Sequence, residues 1–158
     1  MQIPIDSNKL RFKTLSLNVQ GIPFQKRKSI FNWLIKQNSD ICFLQETYNT
    51  EGIENHWKNQ WSGDIYFAHG SNHSRGVAIL IRKSFDYKLT SNRSDEGRSE
   101  AGRYLILETT IHDVPFLLVP NATTKQSLFF QTVSELICDE GYKDSDYKIL
   151  LVRVETLC

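Results

Sequence analysis

Cysteine is scarce and badly placed for pairing. There are three, at Cys42, Cys138 and Cys158, and their odd number and wide spacing argue against a disulfide framework or a zinc site. Cys42 follows Ile41 and Cys138 follows Ile137, so both read as small buried apolar residues, and a reducing intracellular setting fits best. Long apolar runs are missing too. No stretch approaches the roughly 20 residues of a membrane span. Residues 1–10 have no apolar core of the kind a secretion signal needs. The glycosylation-like triplets that begin at Asn72, Asn92 and Asn121 therefore read as chance. Net charge is also lacking: the formal value is +1, so nucleic acid would have to be met by a local basic patch. There are no internal repeats, and 158 residues suit one domain with a sizeable core.

What the chain does have is an alternation of strand and helix patterns. Residues 12–18 alternate apolar and polar, as a half-buried strand does. Gly21 and Pro23 lead into a helix with Ile30, Phe31, Leu34 and Ile35 at helical spacing. Residues 40–45 form a more continuously apolar strand, of the kind buried in a parallel pair. A short helix is expected around residues 56–60, and strands at 65–68, 76–82 and 85–89. The polar stretch 91–102 reads as a long loop. Residues 104–111 and 116–119 form a hairpin turning at His112-Asp113. Thr123 and Gln126 make a capping box for a helix that Gly141 stops, and 147–154 is a final strand. The hairpin excludes a purely parallel doubly wound sheet, so the fold class is α/β with mixed sheets. Trp33, Trp57 and Trp61 read as packing residues, and His69 and His73 as surface loop residues.

Chemistry concentrates at two strand ends. The segment Leu15-Ser16-Leu17-Asn18-Val19-Gln20-Gly21 ends an apolar strand on an amide just before a turn. The segment Ile41-Cys42-Phe43-Leu44-Gln45-Glu46-Thr47 ends another on a carboxylate. Ligands bind at the carboxyl ends of strands in α/β sheets. If the two strands are parallel neighbours, Asn18 and Glu46 emerge at one rim as oxygen donors suited to Mg²⁺ or Mn²⁺. Asn18 has a bland alternative as a turn cap, and Glu46 as a solvated strand-end charge. Lys26-Arg27-Lys28 at a helix start opposes the helix dipole by about 0.3–1 kcal/mol each, which a phosphate partner would offset.

These segments resemble the endonuclease/exonuclease/phosphatase superfamily, and within it the endonuclease domains of LINE-type retrotransposons. The likeness rests on Asn18-Val19-Gln20-Gly21-Ile22, on Asp40 to Thr47, on Arg75-Gly76-Val77-Ala78-Ile79-Leu80-Ile81, on Gly102-Arg103-Tyr104-Leu105 and on Pro120-Asn121. It implies a DNase I-like four-layered α/β sandwich, with Asn18, Glu46 and Asn121 at the catalytic site and Glu46 and Asn18 on a Mg²⁺ or Mn²⁺ ion. It also implies DNA as partner, with Lys26, Arg27, Lys28 and Arg75 on phosphates, and a nuclear setting without a membrane.

The chain departs from that pattern in three places. Leu118 stands where relatives carry a Tyr two residues before the Pro, in a segment about four residues short. Relatives continue into G-D-F-N where this chain reads Val152-Arg153-Val154-Glu155-Thr156-Leu157-Cys158. Gly-Arg occurs twice, at Gly97-Arg98 and Gly102-Arg103, as if a few residues had been inserted. The expectation is a single, C-terminally truncated domain over residues 1–158 with an incomplete sandwich and little or no hydrolytic activity. Two alternatives stay open. One is a non-catalytic nucleic-acid-binding remnant using Lys26, Arg27, Lys28, Arg75, Arg82 and Lys83. The other is a different phosphodiesterase or phosphatase of the same superfamily.

Overall fold

A computed structural model of the chain describes residues 12–71, 73–95, 102, 104–120, 148–150 and 155–156. Strand β1 (Thr14–Asn18) and strand β2 (Ile41–Gln45) are parallel neighbours, in register from Thr14 opposite Ile41 to Asn18 opposite Gln45. A parallel pair needs a crossover, and helix α1 (Phe24–Lys36) supplies it. A single 3₁₀ turn (Glu51–Ile53) and helix α2 (Glu54–Gln60) follow β2 and lead to β3 (Asp64–Ala68) and β4 (Val77–Ile81). Strand β4 lies between β3 and β2, antiparallel to both. The second sheet is built from β5 (Lys88–Ser94), β6 (Leu105–Ile111), β7 (Val114–Leu118) and β8 (Lys148–Leu150). The two-residue β9 (Glu155–Thr156) returns to the first sheet beside β1. The strand orders are β3-β4-β2-β1-β9 and β5-β6-β7-β8, with parallel and antiparallel pairs in each.

The period-two alternation of the strands divides the core in two. Leu17, Cys42, Leu44, Ala78 and Leu80 face α1 and α2, where Ile30, Phe31, Leu34, Trp57 and Trp61 complete the cluster. The alternate residues Ile41, Phe43, Ile79 and Ile81 face Leu105, Leu107, Ile111, Phe116 and Leu118 of the second sheet. Helices, first sheet and second sheet are thus stacked layers of the mixed α/β sandwich expected. The helix expected from the Thr123 capping box lies outside the described residues, and among those residues three layers are seen. Asp40 fixes the amino-terminal end of β2. Its carboxylate accepts from the Lys13 amide at 2.8 Å and from the Arg82 guanidinium, and its carbonyl accepts from the Arg82 amide at 3.0 Å. Among the described residues, no helix is long and apolar enough to cross a membrane.

Three local expectations change. Residues 91–94 belong to strand β5 and do not start a long loop. The segment is polar because, among the described residues, β5 is an edge strand paired only with β6, and its backbone ladder, not side-chain burial, holds it in place. The strand expected to begin at Phe85 accordingly begins at Lys88. On α1 the buried stripe is Arg27, Ile30, Phe31 and Leu34, while Ile35 is 53% exposed and Trp33 40% exposed. Trp57 and Trp61 are buried as expected, each packing edge-on against Phe31 at a centroid separation of 5.6 Å.

Candidate metal and phosphate site

The register of β1 on β2 places Asn18 opposite Gln45, so Asn18 and Glu46 leave the sheet at adjacent strand ends. The pairing continues past the strands. Val19 donates its amide to the Gln45 carbonyl at 3.0 Å, and Gly21 donates to the Glu46 carbonyl at 2.7 Å. Asn18 is 4% exposed, and its Oδ1 accepts from the Gln20 amide at 3.1 Å, so it does cap the turn after β1. A side-chain carbonyl has two lone pairs, and one bond leaves acceptor capacity for an ion.

Glu46 is half-buried and has a left-handed φ of +52°. That conformation ends the strand's alternation and re-aims the side chain. Tyr48 is left-handed as well, at φ +53°. Such residues cost on the order of 1–3 kcal/mol each and persist where surrounding bonds over-determine them. Those bonds are present. Thr47 donates its amide to the Gly76 carbonyl at 3.1 Å, and Tyr48 to the Arg75 carbonyl at 2.9 Å. Gly76 in turn donates to the Gly102 carbonyl at 2.9 Å. Gly76 has φ +93°, and a Cβ there would stand 2.6 Å from Asn49 Oδ1, so only glycine fits under this turn.

Four side chains to which sequence reasoning assigned no part in the site stand behind it. Thr47 Oγ1 donates to Asn49 Oδ1, and Asn49 Nδ2 donates to His69 Nδ1 at 2.5 Å. With Nδ1 accepting, the ring carries its proton on Nε2 and donates it to Glu54 Oε1 at 2.7 Å. His69 thus lies in the loop after β3, as expected, but its ring is tied in and not at the open surface. Its ring is enclosed between Asn49 and Glu54 and stacks on Phe67 at 5.3 Å. His73 is exposed, as expected. The only hint in the sequence was that His69 directly follows a strand.

The basic residues divide by environment. Arg27 is 3% exposed. Its Nε donates to Gln60 Oε1, its Nη1 donates to the Ile22 carbonyl at 3.1 Å, and its guanidinium lies over Trp57 at 5.6 Å. Burial lowers its pKa from the ordinary arginine value. These contacts fasten α1 to α2, which gives Arg27 a packing role in place of the phosphate contact expected of it. The Lys26 ammonium donates to the Val19 carbonyl, while Lys28 is exposed. Arg75 sits at the turn, left-handed at φ +61°. Arg82 and Lys83 follow β4, whose Ile81 pairs with Ile41, so they lie at the rim opposite Asn18 and Glu46.

Leu118, at the position where a Tyr was expected, is buried between the sheets and pairs in register with Leu107 and Leu150. Asn121 lies outside the described residues. The chain is in the second sheet at Leu150 and in the first at Glu155, with Thr156 opposite Asn18 in the β1 ladder. Among the described residues no group of three His, Cys, Asp or Glu side chains could hold a metal. Cys42 is no nucleophile: burial first, and then the Asp40 charge, push its thiol up to about 12 against the lowering effect of Lys13. At the far rim, Tyr66 and Tyr87 share a hydroxyl bond of 2.6 Å, and Tyr87 donates to Asp64 Oδ2 at 2.5 Å.

Two mixed sheets packed face to face, with an amide and a carboxylate on paired strand ends, define a two-sheet α/β sandwich with a polar rim. Residues 15–142 match the model of the Endonuclease/Exonuclease/phosphatase family, and the chain belongs to that family. It is similar to the "Transposon TX1 uncharacterized 149 kDa protein" of Xenopus laevis, with 27% identity over 129 residues. That match covers 79% of this chain and 10% of the transposon protein. In fold it is similar to an AP endonuclease from Archaeoglobus fulgidus, at TM-score 0.57 and 16% identity, covering 89% of this chain and 56% of that one. It is likewise similar to D. rerio TDP2 complexed with single strand DNA product, at TM-score 0.55 and 16% identity, covering 87% and 58%. The chain thus spans a tenth of the transposon protein and little more than half of those two structures.

Proposed function

We propose that this chain carries the first part of a Mg²⁺- or Mn²⁺-dependent DNA endonuclease site of the LINE retrotransposon type, that it binds the DNA backbone, and that it hydrolyses it weakly or not at all. The observation that carries the reading is the paired rim: Asn18 and Glu46 on adjacent strand ends, the Glu46 turn strained and bonded to Gly21. Mg²⁺ is commonly held by one or two carboxylates with waters and substrate phosphates, and Glu46 with Asn18 fits that as a partial shell. Bound there, a divalent ion would polarise the scissile phosphate and neutralise charge on the leaving oxygen. The chain's own residues supply the rest: Glu46 and Asn18 as oxygen donors, and Lys28 and Arg75 as cations for the phosphate backbone, in a nuclear setting.

Weak hydrolysis follows from the residues present. Leu118 offers no hydrogen bond to a phosphate, and the stretch after Leu151 holds no Asp or Asn where relatives have both. Losing an acid–base group costs about 10²–10⁴-fold, and losing several cooperating groups is close to total. The purely basic-patch alternative is less favoured, because Arg27 is buried and Arg82 and Lys83 lie at the other rim. The test is a supercoiled-plasmid nicking assay with Mg²⁺ or Mn²⁺, run beside Mn²⁺ and DNA titrations. Metal binding lost in Glu46→Gln, salt-dependent DNA binding and negligible nicking are expected. Robust nicking abolished by Glu46→Ala would sink the weak-hydrolysis part, and no binding of either metal or DNA would sink the reading as a whole.

A further inference from the structure

The turn that carries Glu46 is braced by side chains from elsewhere in the chain. Asn49 is 0% exposed and meets three supports. Its carbonyl accepts from the Gly70 amide at 3.1 Å, its Oδ1 accepts from Thr47, and its Nδ2 donates to His69. Thr47, next to Glu46, is 1% exposed, and Gly76 closes against both side chains. His69 is the member that brings in distant structure. It sits at the end of β3, is levelled by stacking on Phe67, and is tethered by Glu54 in the first turn of α2.

We propose that His69 is a positioning residue for Glu46. It joins Glu54 to Asn49, and through Asn49 and Thr47 it fixes the left-handed backbone of Glu46 and Tyr48 on either side of Thr47. Three arguments support this. A buried amide such as Asn49 that loses a partner suffers the full desolvation penalty of the orphaned group, so the chain relaxes as a unit. The backbone it holds is strained and would revert to ordinary dihedrals without its supports. Finally, the ring bonds only polar partners and stacks on the edge of the core, so its removal loosens the turn before it loosens the sheets. A His69-to-Asn49 bond therefore acts on the direction in which Glu46 leaves the strand. The consequence for metal binding rests on the reading of Glu46 as a metal donor; the bracing of the turn does not.

Residue-resolved amide hydrogen exchange tests the bracing. The amides of Thr47, Tyr48 and Gly76 are donors in the bonds that hold the turn, and Ile79 and Leu80 report on the sheet core. In His69→Ala, exchange at the three turn amides should rise on the order of tenfold or more while Ile79 and Leu80 hold their wild-type rates. His69→Gln, which can still accept from Asn49 and donate to Glu54, should recover most of the protection. Glu54→Gln, which leaves the ring in place, should give the same pattern at lower amplitude and serves where the alanine variant is unstable. Unchanged turn amides in His69→Ala, or acceleration shared equally by Ile79 and Leu80, would overturn the proposal. A Mn²⁺ titration separates the two readings. Wild-type affinity insensitive to Glu46→Gln overturns the metal role of Glu46. Affinity lost in Glu46→Gln but undiminished in His69→Ala overturns the positioning of Glu46 by His69.

Discussion

The backbone amide of Gly21 donates to the carbonyl oxygen of Glu46 at 2.7 Å, so the turn after Asn18 and the turn that carries Glu46 are fastened to each other. Gly21 makes that bond at φ +83°, with Tyr48 Cδ2 only 2.7 Å from where a Cβ would be. Gly21→Ala should therefore cost about 1–3 kcal/mol. Gly76→Ala should cost more, because φ is +93° and the Cβ would meet fully buried Asn49, which has no room to withdraw. Urea titrations should show lower midpoints with unchanged slopes.

Asn18 can be varied in two informative directions. Asn18→Ala removes the acceptor for the Gln20 amide and should lower stability by about 0.5–1.5 kcal/mol while weakening Mn²⁺ binding. Asn18→Asp keeps an acceptor there and adds a second carboxylate to the rim. It should bind Mn²⁺ more tightly than wild type, yet be less stable in chelator, where the nearly buried charge stands without an ion. Thermal melts with Mn²⁺ and with EDTA check both; an Asp variant no more Mn²⁺-responsive than wild type would count against the donor role.

Arg27 and Lys28 are neighbours in sequence with opposite expected phenotypes. Arg27→Met leaves Gln60 Oε1 and the Ile22 carbonyl without their donor and should destabilise by about 1–3 kcal/mol. Lys28→Ala should leave stability within about 0.5 kcal/mol. It should weaken DNA binding uniformly across sequences and reduce the salt slope by about one. Denaturation and salt-dependent DNA titrations on the same two variants would show whether the assignments are reversed.

Alkaline pH should unfold the protein early. Burial raises the Cys42 thiol from its ordinary 9.0 to about 12, and raises the Tyr66 and Tyr87 phenols, that of Tyr87 also through its bond to Asp64. Below pH 9 the Cys42 thiol is protonated in both folded and unfolded states. Above it the unfolded chain releases a proton that the folded chain retains, so stability falls by up to roughly 1.4 kcal/mol per pH unit until the folded pKa is reached. Cys42→Ala should start less stable at pH 7 and decline less steeply between pH 9 and 11. Parallel decline in both proteins would exclude Cys42 as a source.

What the sequence revealed depended on how local each cause was. The parallel pair was legible because residues 14–18 alternate and residues 41–44 are an unbroken apolar run. The greater part of strand β5 was not, since residues 90–94 are polar and their ladder with β6 makes them strand. The phase of α1 was misread by apolar residues alone, because the buried stripe includes Arg27 and leaves Ile35 out. His69 lies in a stretch of Gly, Ser and Asn that reads as loop, yet its enclosure is set by Asn49 and Glu54, 20 and 15 residues earlier. Arg27 likewise looks like a solvated cation until Gln60, 33 residues later, is brought to it.

The rim is assembled from residues 18–21, 46–49, 69–71, 73–76 and 102, each at or beyond a different strand end. No excised peptide would reproduce it. Loop-closure entropy must be met before these distant contacts yield any free energy, so folding should be slow for a chain of this length, and the rim should form among the last features to settle. Any ligand held across Asn18 and Glu46 would then act as one more tie between strands far apart in the chain, and its binding energy would appear as stability of the whole first sheet.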